Sequence, residues 1–487
     1  MLIIVVKFNL PDKEKECIDS VKKYTNLEKH SLLVYDNYPL KENLAVVWNR
    51  LIAESTEDII CLLNNDTVVE EGWTKMIEVL DEKVGAVGPV TNNCGGRQKN
   101  MERGQIEDIN ELSGFCYLFR KDVWKEVGRF PEDMPFYGQE SIFNQKLQDH
   151  GYKLKVDRRV YIHHYKAQSY SKAIKNEEIT SAEKEFGAFH YWNYVARLRK
   201  LREKVKQGTK IGIYGAGEAF PLSRGANQFM HDFCGKNGYC LQDIETAKSK
   251  ISELDIFITM QTKVDDSWSL AKEAKALGKK TALYFCDLRS PKQEWPYTIE
   301  LPEDIKEYFD AIFYCAKGQL DDWDCGVPTY YLPQGTIQHP RPCTGEHYKI
   351  VHIGDLDTEY HTGRKSLLEG LEYTNLNEHN REKRLELSRD SFGIYGSSDF
   401  SLAVSHDVEG YTSDRLYHIL GAGGCALCYN PGGLQFKDKE HLLYWKDPKE
   451  IAWLIETDTT EIKKNAFKEV QSKHLYKDRF IEIVTKL

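Results

Sequence analysis

The stretch IICLLNNDTVVEEGW (59–73) places an apolar run directly before Asn-Asn-Asp. In open α/β sheets, ligands bind outside the carboxyl ends of the strands. A carboxylate at that point, here Asp66, suits a hard divalent cation that bridges a diphosphate. Asn and Asp are also ordinary turn residues. The stretch alone therefore leaves a simple turn and a ligand site both open.

The residues around this stretch predict an α/β domain over 1–175. Short apolar runs alternate with amphipathic stretches, such as the helices predicted at 13–24 and 43–53. The predicted strands are Leu2–Val6, Leu32–Tyr35, Ile59–Leu63, Ala86–Pro89, Phe115–Phe119 and Val160–His163.

The rest of the chain predicts a connector helix over 176–207 and two further α/β lobes, 208–343 and 344–487. The connector turns basic at 197–206, which is typical either of a helix lying on an anionic membrane or of a solvated connector. The sequence favours the connector. The predicted strands are Ile211–Tyr214, Ile256–Met260, Thr281–Phe285, Ala311–Tyr314, Tyr330–Leu332, Lys349–Ile353 and a buried strand in CALCYN (425–430).

Composition narrows the class of protein. The chain has 487 residues, enough for about three domains. Its net charge of −9 argues against a nucleic-acid partner held by phosphate neutralisation. We find no run of about 18 apolar residues that would span a membrane. The first residues lack a basic segment, so they predict a strand rather than a signal peptide. The sequence therefore predicts a cytoplasmic protein and leaves peripheral membrane contact open.

Several blocks surround the Asn-Asn-Asp turn in a fixed order. They are IIVV (3–6), LVYDN (33–37), NLAVVWNR (43–50), LLNNDTVVEEGW (62–73), GFCYLFRKDVWKEVGRF (114–130), FYGQES (136–141) and IHH (162–164). Together they resemble glycosyltransferase family 2, which has the GT-A fold. The resemblance implies transfer of a sugar from a nucleotide-sugar donor to a hydroxyl acceptor such as a glycan or lipid-linked sugar.

The resemblance also implies donor-site residues in this part of the chain. Asp36 falls where the family contacts the nucleotide base, and Asn49 falls where it approaches the donor nucleotide. Asn65 and Asp66 fall on the DxD-like motif, with Asp66 as a ligand of Mn²⁺ or Mg²⁺. The cation ligands implied are Asp66, His164 and His163; a strand-end role is the plain alternative for the two histidines.

Gln139-Glu140 aligns with the acidic pair of the family on the acceptor side. Glu140 would be the general base of an inverting transfer, in which a metal supplies positive charge to the leaving diphosphate. The first acid of the pair has become Gln in this chain. The alternative for Glu140 is a solvated residue in a first helical turn, and Asp133 is the next candidate for the base.

GIYGAG (212–217) follows a predicted strand and opens a predicted helix. Such a turn can present backbone N–H groups to phosphate. A dinucleotide site would also need an acid at the end of the second strand, and 233–239 offers none. The sequence favours tight packing, with Gly215 and Gly217 lining an acceptor cleft.

HDVEGYTSDRLYHILGAGG (406–424) resembles the carboxyl-terminal domain of GT-B glycosyltransferases, in particular the CgeB-like group. The resemblance implies a donor site with phosphate contacts, sugar contacts and a ribose position. The residues implied are Ser413, Arg415 and Arg364 for the phosphates, Glu409 and Gly410 for the sugar, and His418 where relatives place a ribose-binding Glu. A capped helix packed by its glycines is the plain alternative.

These observations leave three hypotheses. The leading one is a bifunctional glycosyltransferase with a metal-dependent GT-A unit followed by a GT-B unit of two Rossmann-like lobes. The second keeps only the GT-A unit active and makes the second half a binding or scaffold module. The third is a dinucleotide-binding regulatory or oxidoreductase protein, which rests on the Gly-Ala-Gly turn alone.

Overall fold

The protein is a mixed α/β chain that forms two compact units, Met1–Tyr194 and Val195–Leu487. The computed structural model describes every residue except 100, 133, 135–137, 166–180, 218–219, 261–265, 287, 289–303, 321–323, 355, 357–366, 377–380 and 407, and the side chains of 181–186, 266, 381–385 and 388–389. Each unit is described separately below.

The first unit contains one sheet with strand order β2-β1-β3-β7-β5-β8-β4, and β6 pairs with β8. Its strands are β1 (Leu2–Lys7), β2 (Ser31–Asp36), β3 (Ile59–Asn64), β4 (Thr67–Val69), β5 (Val84–Val90), β6 (Ile106–Ile109), β7 (Cys116–Arg120) and β8 (Lys153–His164). Its helices are α1 (Pro11–Tyr24), α2 (Leu44–Glu54), α3 (Lys121–Val127) and α4 (Gln139–Asp149), followed by α5 (Ser181–Lys204).

Apolar residues on both faces explain why β1 and β3 lie at the centre of this sheet. Leu2 and Ile4 join the core that includes α2, whereas Ile3 and Val5 join the core that includes α1. Helix α1 begins with Pro11, whose fixed φ suits a first turn. Strands β1, β2 and β3 run parallel, so their carboxyl ends meet at one edge.

Two parallel sheets make up most of the second unit. The first has strand order β10-β9-β11-β12-β13-β14 and the second β16-β15-β17-β18-β19. The strands are β9 (Ile211–Tyr214), β10 (Gly238–Leu241), β11 (Ile256–Thr259), β12 (Lys280–Phe285), β13 (Ala311–Tyr314), β14 (Thr329–Tyr331), β15 (Ile350–Ile353), β16 (Thr374–Leu376), β17 (Phe400–Ala403), β18 (Ala426–Tyr429) and β19 (Leu443–Trp445). The order reverses between β9 and β11 and between β15 and β17, the two points where such sheets bind ligands.

The helices of the second unit hold its two sheets together. They are α6 (Pro221–Phe229), α7 (Ile244–Lys250), α8 (Asp266–Ala276), α9 (Arg381–Ser397), α10 (Asp414–Gly421), α11 (Ile451–Leu454), α12 (Thr460–Lys473) and α13 (Tyr476–Lys486). Helix α12 packs on α10 beside the second sheet, and α13 returns to α6 beside the first. Between these helices Leu475 forms a parallel bridge with Thr336, the segment that joins the two sheets.

Three consecutive charged residues fix the start of α13. Lys477 pairs with Asp232 at 2.8 Å, and Asp478 pairs with Arg197 of the connector helix α5 at 2.5 Å. Arg479 donates to the carbonyl of Gln334. The basic end of the connector therefore contributes one buried arginine to the packing of the second unit.

Cys425 and Cys428 lie in and beside β18, as the apolar sequence predicted. Both thiols are buried, and burial raises the pKa of each; that of Cys425 is raised to about 12. None of the twelve cysteines forms a disulfide in the described structure. Among the described residues, no helix combines the length and apolar character needed to cross a membrane.

Candidate active site

The carboxyl ends of β1, β2 and β3 form the floor of the first candidate site. Lys7 is in register with Asp36, and Val6 is in register with Asn64. The Lys7 Nζ donates to Asp36 Oδ2 at 3.3 Å, and the Tyr38 N–H donates to Asp36 Oδ1 at 3.1 Å. Asp36 is exposed at this edge, where the sequence placed a base contact.

Glu14 is a residue of this edge that the sequence analysis missed. Its buried carboxylate accepts the N–H groups of Phe8 and Leu10 at 2.9 and 3.0 Å. It also accepts from Asn65 Nδ2 at 3.2 Å. Glu14 therefore ties the end of β1 to the Asn-Asn-Asp turn. Its position in the first turn of the helix that follows β1 was the available signal.

Asp66 and His164 lie side by side at this edge. Strand β4 pairs with β8 so that Thr67 is opposite His164. The distance from His164 Nε2 to Asp66 Oδ1 is 3.3 Å, and Asp66 is only 3% exposed. His163 is paired opposite Val68 instead, and its ring contacts Tyr165 at 4.6 Å. The structure thus brings one of the two predicted histidines to Asp66.

The ring of His164 is oriented to accept a cation. Its Nδ1 lies 2.7 Å from the carbonyl of Asn93, so Nδ1 carries the proton and donates it to that carbonyl. In the neutral ring this leaves Nε2 with a lone pair that faces the Asp66 carboxylate, and Nε2 is buried without a hydrogen-bond partner. Two electron-rich atoms 3.3 Å apart suit a shared divalent cation.

Two protein ligands would leave most of a cation's coordination sphere to other groups. Among the described residues, no cluster of three or more His, Cys, Asp or Glu side chains has metal-binding geometry. Diphosphate oxygens and water are the ligands that Mg²⁺ takes most readily alongside one or two carboxylates. The Asp66–His164 pair therefore fits a cation that arrives together with a diphosphate.

Asn49 does not contact the Asp66–His164 pair but the segment that follows α3. It is 2% exposed, and its Nδ2 donates to the carbonyl of Phe130 and to Glu132, each at 2.8 Å. Its Oδ1 accepts from the Phe130 N–H at 3.1 Å. This side chain holds the segment that follows α3, so we leave it out of the proposed donor site.

Glu140 lies in the first turn of α4, after Gly138 with φ +95°. A side chain on Gly114 would lie 3.3 Å from the Glu140 Cδ, so the two segments are in contact. Burial raises the pKa of Glu140, and the charge of Glu111 raises it further. The neighbouring Gln139 is buried, and its Nε2 lacks a hydrogen-bond partner.

One short segment links the candidate base to the candidate cation site. Gly114 contacts Glu140, and the next residue, Phe115, stacks on the His164 ring at 5.1 Å between centroids. The Phe115 carbonyl accepts from the Asn64 N–H at 2.9 Å, which anchors the segment at the end of β3. Glu140 and the Asp66–His164 pair therefore flank one segment at the same edge of the sheet.

In the second unit, Arg415 lies at the point where the order of the second sheet reverses. Its Nε donates to the carbonyl of Ile353 at 2.8 Å, and its Nη1 donates to the carbonyl of Val404 at 3.3 Å. These carbonyls mark the carboxyl ends of β15 and β17. Gly354 has φ +130°, and a Cβ there would lie 2.5 Å from Arg415 Nη2. The glycine therefore leaves room for the guanidinium.

Two serines lie close to this guanidinium in the chain. Ser413 is the N-cap of α10, but its side chain makes no capping hydrogen bond. Ser405 follows β17; it is 4% exposed and its Oγ lacks a partner. The sequence analysis missed Ser405, because a single serine after a short strand carries no signal of its own.

Glu409 and Gly410 connect the two sheets of the second unit. The carbonyl of Glu409 accepts from the Gly318 N–H at 2.9 Å, and its carboxylate lies 3.3 Å from Lys317 Nζ. The carbonyl of Gly410 accepts from the Tyr331 hydroxyl at 2.8 Å. The loop after β17 therefore contacts the loop after β13 and the last residue of β14, so carboxyl ends of the two sheets face each other.

His418 is not part of this edge. It is buried, its Nδ1 is 2.9 Å from Thr336 Oγ1, and its Nε2 is 3.2 Å from Asp414 Oδ2. These contacts fasten α10 to the segment between the sheets. Arg364, the other predicted phosphate ligand, lies outside the described residues.

Gly215 and Gly217 follow β9 at the other point of reversal. Gly215 has φ +88°, and its N–H donates to the carbonyl of Leu241 at 2.9 Å. The second strand ends at Leu241, later than the sequence analysis expected, and the acid that follows it is Asp243. Both oxygens of Asp243 bond to Thr246 at 2.8 Å, so this carboxylate caps α7.

Comparisons with known proteins give low similarity. No protein-family profile and no curated protein matches the chain. Among solved structures, GalNAc-T7 with UDP, GalNAc and Mn²⁺ is 12% identical, covers 34% of this chain and 42% of its own, and has a TM-score of 0.29. Less than half of GalNAc-T7 is therefore spanned.

Two further solved structures align over more of their own length. Anabaena HepE with UDP-glucose is 10% identical, covers 57% of this chain and 100% of its own, and has a TM-score of 0.38. S. aureus TarS 1–349 with UDP-GlcNAc is 13% identical, covers 42% of this chain and 68% of its own, and has a TM-score of 0.31. These proteins are glycosyltransferases. At such scores the similarity assigns no function, and the site itself must supply the argument.

Proposed function

We propose that the chain is a glycosyltransferase whose first unit moves a sugar from a nucleotide-sugar donor to a hydroxyl of a glycan, lipid-linked or other acceptor. The observation that carries the proposal is the Asp66–His164 pair at the carboxyl ends of three parallel strands, with Glu140 on the other side of the Gly114–Phe115 segment. Asp36 lies at the same edge and is the proposed contact for the nucleotide base.

In the proposed transfer Glu140 takes the proton of the acceptor hydroxyl as that oxygen attacks the anomeric carbon. The bond from this carbon to the diphosphate breaks, and its electron pair leaves on the diphosphate. Attack from the opposite side inverts the anomeric centre. Asp66 and His164 would hold Mn²⁺ or Mg²⁺, which supplies positive charge for the leaving diphosphate.

The test is a screen of nucleotide-sugars for release of nucleotide diphosphate by the full chain, with Mn²⁺ or Mg²⁺ and with excess EDTA. We expect release only with the cation, and Asp66→Ala should abolish it. Equal turnover in excess chelator would contradict the cation site. Asp19→Ala, which removes an exposed carboxylate of α1, is the control and should behave as the parent.

A second donor site in the second unit is a further candidate function, which would make the chain bifunctional. Arg415 lies where a parallel sheet binds ligands. Ser405, which follows the Val404 carbonyl that Arg415 contacts, offers a buried hydroxyl without a hydrogen-bond partner. Ser413 and Arg415 would bind the diphosphate by a hydroxyl and a guanidinium. We assign this site no metal. The facing carboxyl ends of the two sheets would form the cleft of a GT-B unit.

The alternatives make distinct predictions. If the second half is a scaffold, Arg415→Ala will change no nucleotide affinity. If the chain binds a dinucleotide at Gly215, mass spectrometry of the purified protein should detect the cofactor; the capping role of Asp243 disfavours this. We also propose a cytoplasmic location, because twelve cysteines without a disulfide among them suit a reducing compartment.

A further inference from the structure

Asn92 lies two residues after β5 and holds His164 by its backbone. The Asn92 Oδ1 accepts the His164 N–H at 2.8 Å, and the Asn92 Nδ2 donates to the His164 carbonyl at 3.2 Å. One side-chain amide thus pairs with both backbone polar groups of one residue, as a neighbouring strand would. β8 ends at this residue, so the amide extends the pairing by one position.

The same loop also sets the orientation of the His164 ring. The Asn93 carbonyl accepts from His164 Nδ1 at 2.7 Å, and Phe115 stacks on the ring with an interplanar angle of 15°. The backbone, the ring edge and the ring face of His164 are each held by a different group. Nε2, which faces Asp66, is the ring atom that these contacts leave for a ligand.

The loop that carries Asn92 is fixed by contacts of its own. The Thr91 N–H donates to the Gln98 carbonyl at 3.1 Å. The Thr91 hydroxyl donates to Asn92 Oδ1 at 3.2 Å and accepts from the Asn93 N–H at 3.4 Å. Gln98 is itself fully buried. A rigid loop can therefore act as the reference against which His164 is positioned.

We propose that Asn92 is a positioning residue for the cation site, which aims His164 Nε2 at Asp66 before any cation binds. The inference rests on the proposed function, because it needs the cation that Asp66 and His164 would share. Groups that orient a metal-ligating histidine typically change metal affinity by about 10- to 100-fold when they are removed. Asn92 lies outside the seven sequence blocks that resemble glycosyltransferase family 2.

The experiment is a titration of the full chain with Mn²⁺ in the presence of UDP, with free Mn²⁺ followed by electron paramagnetic resonance. We expect Asn92→Ala to weaken Mn²⁺ binding by about 10- to 100-fold. UDP affinity without metal should stay unchanged, and saturating Mn²⁺ should restore turnover. Asn26→Ala is the matched control, since Asn26 is an exposed residue whose side chain only accepts from the Glu28 N–H.

Two outcomes would overturn the inference in different ways. If the parent binds no Mn²⁺ with UDP, the cation site fails and the role of Asn92 fails with it. If the parent binds Mn²⁺ and Asn92→Ala binds it equally well, only the role of Asn92 fails. If Asn92→Ala does not fold, Thr91→Val is the second variant, because it removes one hydrogen bond to the Asn92 oxygen. It should weaken Mn²⁺ binding by about 2- to 10-fold. Unchanged Mn²⁺ binding by this variant would overturn the inference.

Discussion

Glu140 is a carboxyl group that must ionise in a place where ionisation is unfavourable. A base with a raised pKa takes a proton more readily than an ordinary glutamate, so its burial beside Gly114 serves the proposed role. Asp66 differs, because a cation can offset the cost of its burial. The two carboxylates of the site are therefore held by different physical means.

The first prediction is that Glu140→Gln lowers transfer by about 10²- to 10⁴-fold, as loss of a general base does. Donor affinity should barely change, because the proposed role of Glu140 lies on the acceptor side. The measurements are the turnover number and the dissociation constant of the donor. Glu28→Gln, at an exposed turn, should match the parent. Near-native transfer by Glu140→Gln would make Asp133 the better candidate.

The second prediction concerns stability at the same residue. The folded-state pKa of Glu140 is raised, so its stabilising contribution is present below the unfolded-state pKa and is lost as pH rises through the folded-state pKa. At a pH above the unfolded-state pKa, the raised pKa of Glu140 therefore costs stability. Glu140→Gln should melt at a higher temperature than the parent at pH 7, and the difference should shrink as pH falls toward 4. A lower melting temperature at pH 7 would count against burial of the charge.

The third prediction concerns the pH dependence of transfer. Glu140 must be ionised to act, so activity should fall as pH decreases through its raised pKa, above the usual glutamate value of about 4.3. Glu111→Gln removes a negative charge that helps raise this pKa, so it should move the acid limb to lower pH. The pH–rate profiles of both proteins test this, and an unmoved limb would contradict it.

At the residue scale, the sequence identified groups whose role depends on a local pattern. Asp66 follows a strand and Glu140 begins a helix, and both patterns are visible within a few residues. Asn92 could not be found in this way, because its partner His164 is 72 positions away. Glu14 had only its place in a first helical turn as a signal, since its partner Asn65 is 51 positions away. Asn49 shows the converse: its position matched a motif, but its amide is used by Phe130.

At the scale of elements, the missing side chain of Gly354, which follows β15, leaves room for the guanidinium of Arg415 on α10. We predict that Gly354→Ala displaces the guanidinium, since φ +130° and a contact of 2.5 Å both oppose a Cβ. Arg415→Ala should lose about 10- to 150-fold in affinity for nucleoside diphosphates, the equivalent of roughly 1.5–3 kcal/mol. Calorimetric titration of the full chain in EDTA measures the second site alone, if the first needs a cation.

Gly370→Ala is the control for the glycine variant. Gly370 also has a positive φ, +84°, but a Cβ there would meet nothing within 4 Å. It should therefore share any backbone strain without touching Arg415, and nucleotide affinity should be retained. If Gly354→Ala and Arg415→Ala both bind as the parent does, the second half has no donor site there.

Buried apolar runs were the strands most readily predicted, although the buried β17 (Phe400–Ala403) was not among the predicted strands. β9, β11 and β13 are apolar runs of four residues, buried almost throughout, and each was predicted. β10 and β16 lie at sheet edges, where residues such as Tyr239 and Thr374 are partly exposed, so no apolar run marks them. In β8 the lysines and arginines of its first half hid a strand that begins at Lys153 rather than near Val160.

At the scale of the whole molecule, the buried pair Lys477–Asp232 is the sharpest test of how the second unit is closed. Lys477→Met should destabilise this unit by roughly 1.5–3 kcal/mol, because it removes a charge-assisted contact of 2.8 Å from the largely buried Asp232 carboxylate. The double variant with Asp232→Leu should recover much of that loss. Urea unfolding measures both, and Lys15→Met at an exposed pair should cost less than about 1 kcal/mol.

The sequence predicted two parallel lobes but not how α13 joins them. Strand patterns repeat locally, so the sequence predicted two lobes, 208–343 and 344–487. The contact of Phe480 with Phe229 joins residues about 250 positions apart, and neither helix carries a signal for the other. Gly335 shows the same limit: a Cβ there would lie 2.9 Å from the His474 carbonyl, a constraint visible only once the two segments meet.

A ribosome makes β14 about 145 residues before it makes Tyr476. At ordinary rates of synthesis that interval is on the order of ten seconds. The first parallel sheet of the second unit leaves the exit tunnel without the helix whose Phe480 and Ile483 complete its core. The buried residues of the two described core clusters of the first unit are all made by Ile162. The nascent chain should therefore carry one finished unit and one uncovered apolar sheet face, where chaperones that bind such surfaces would act.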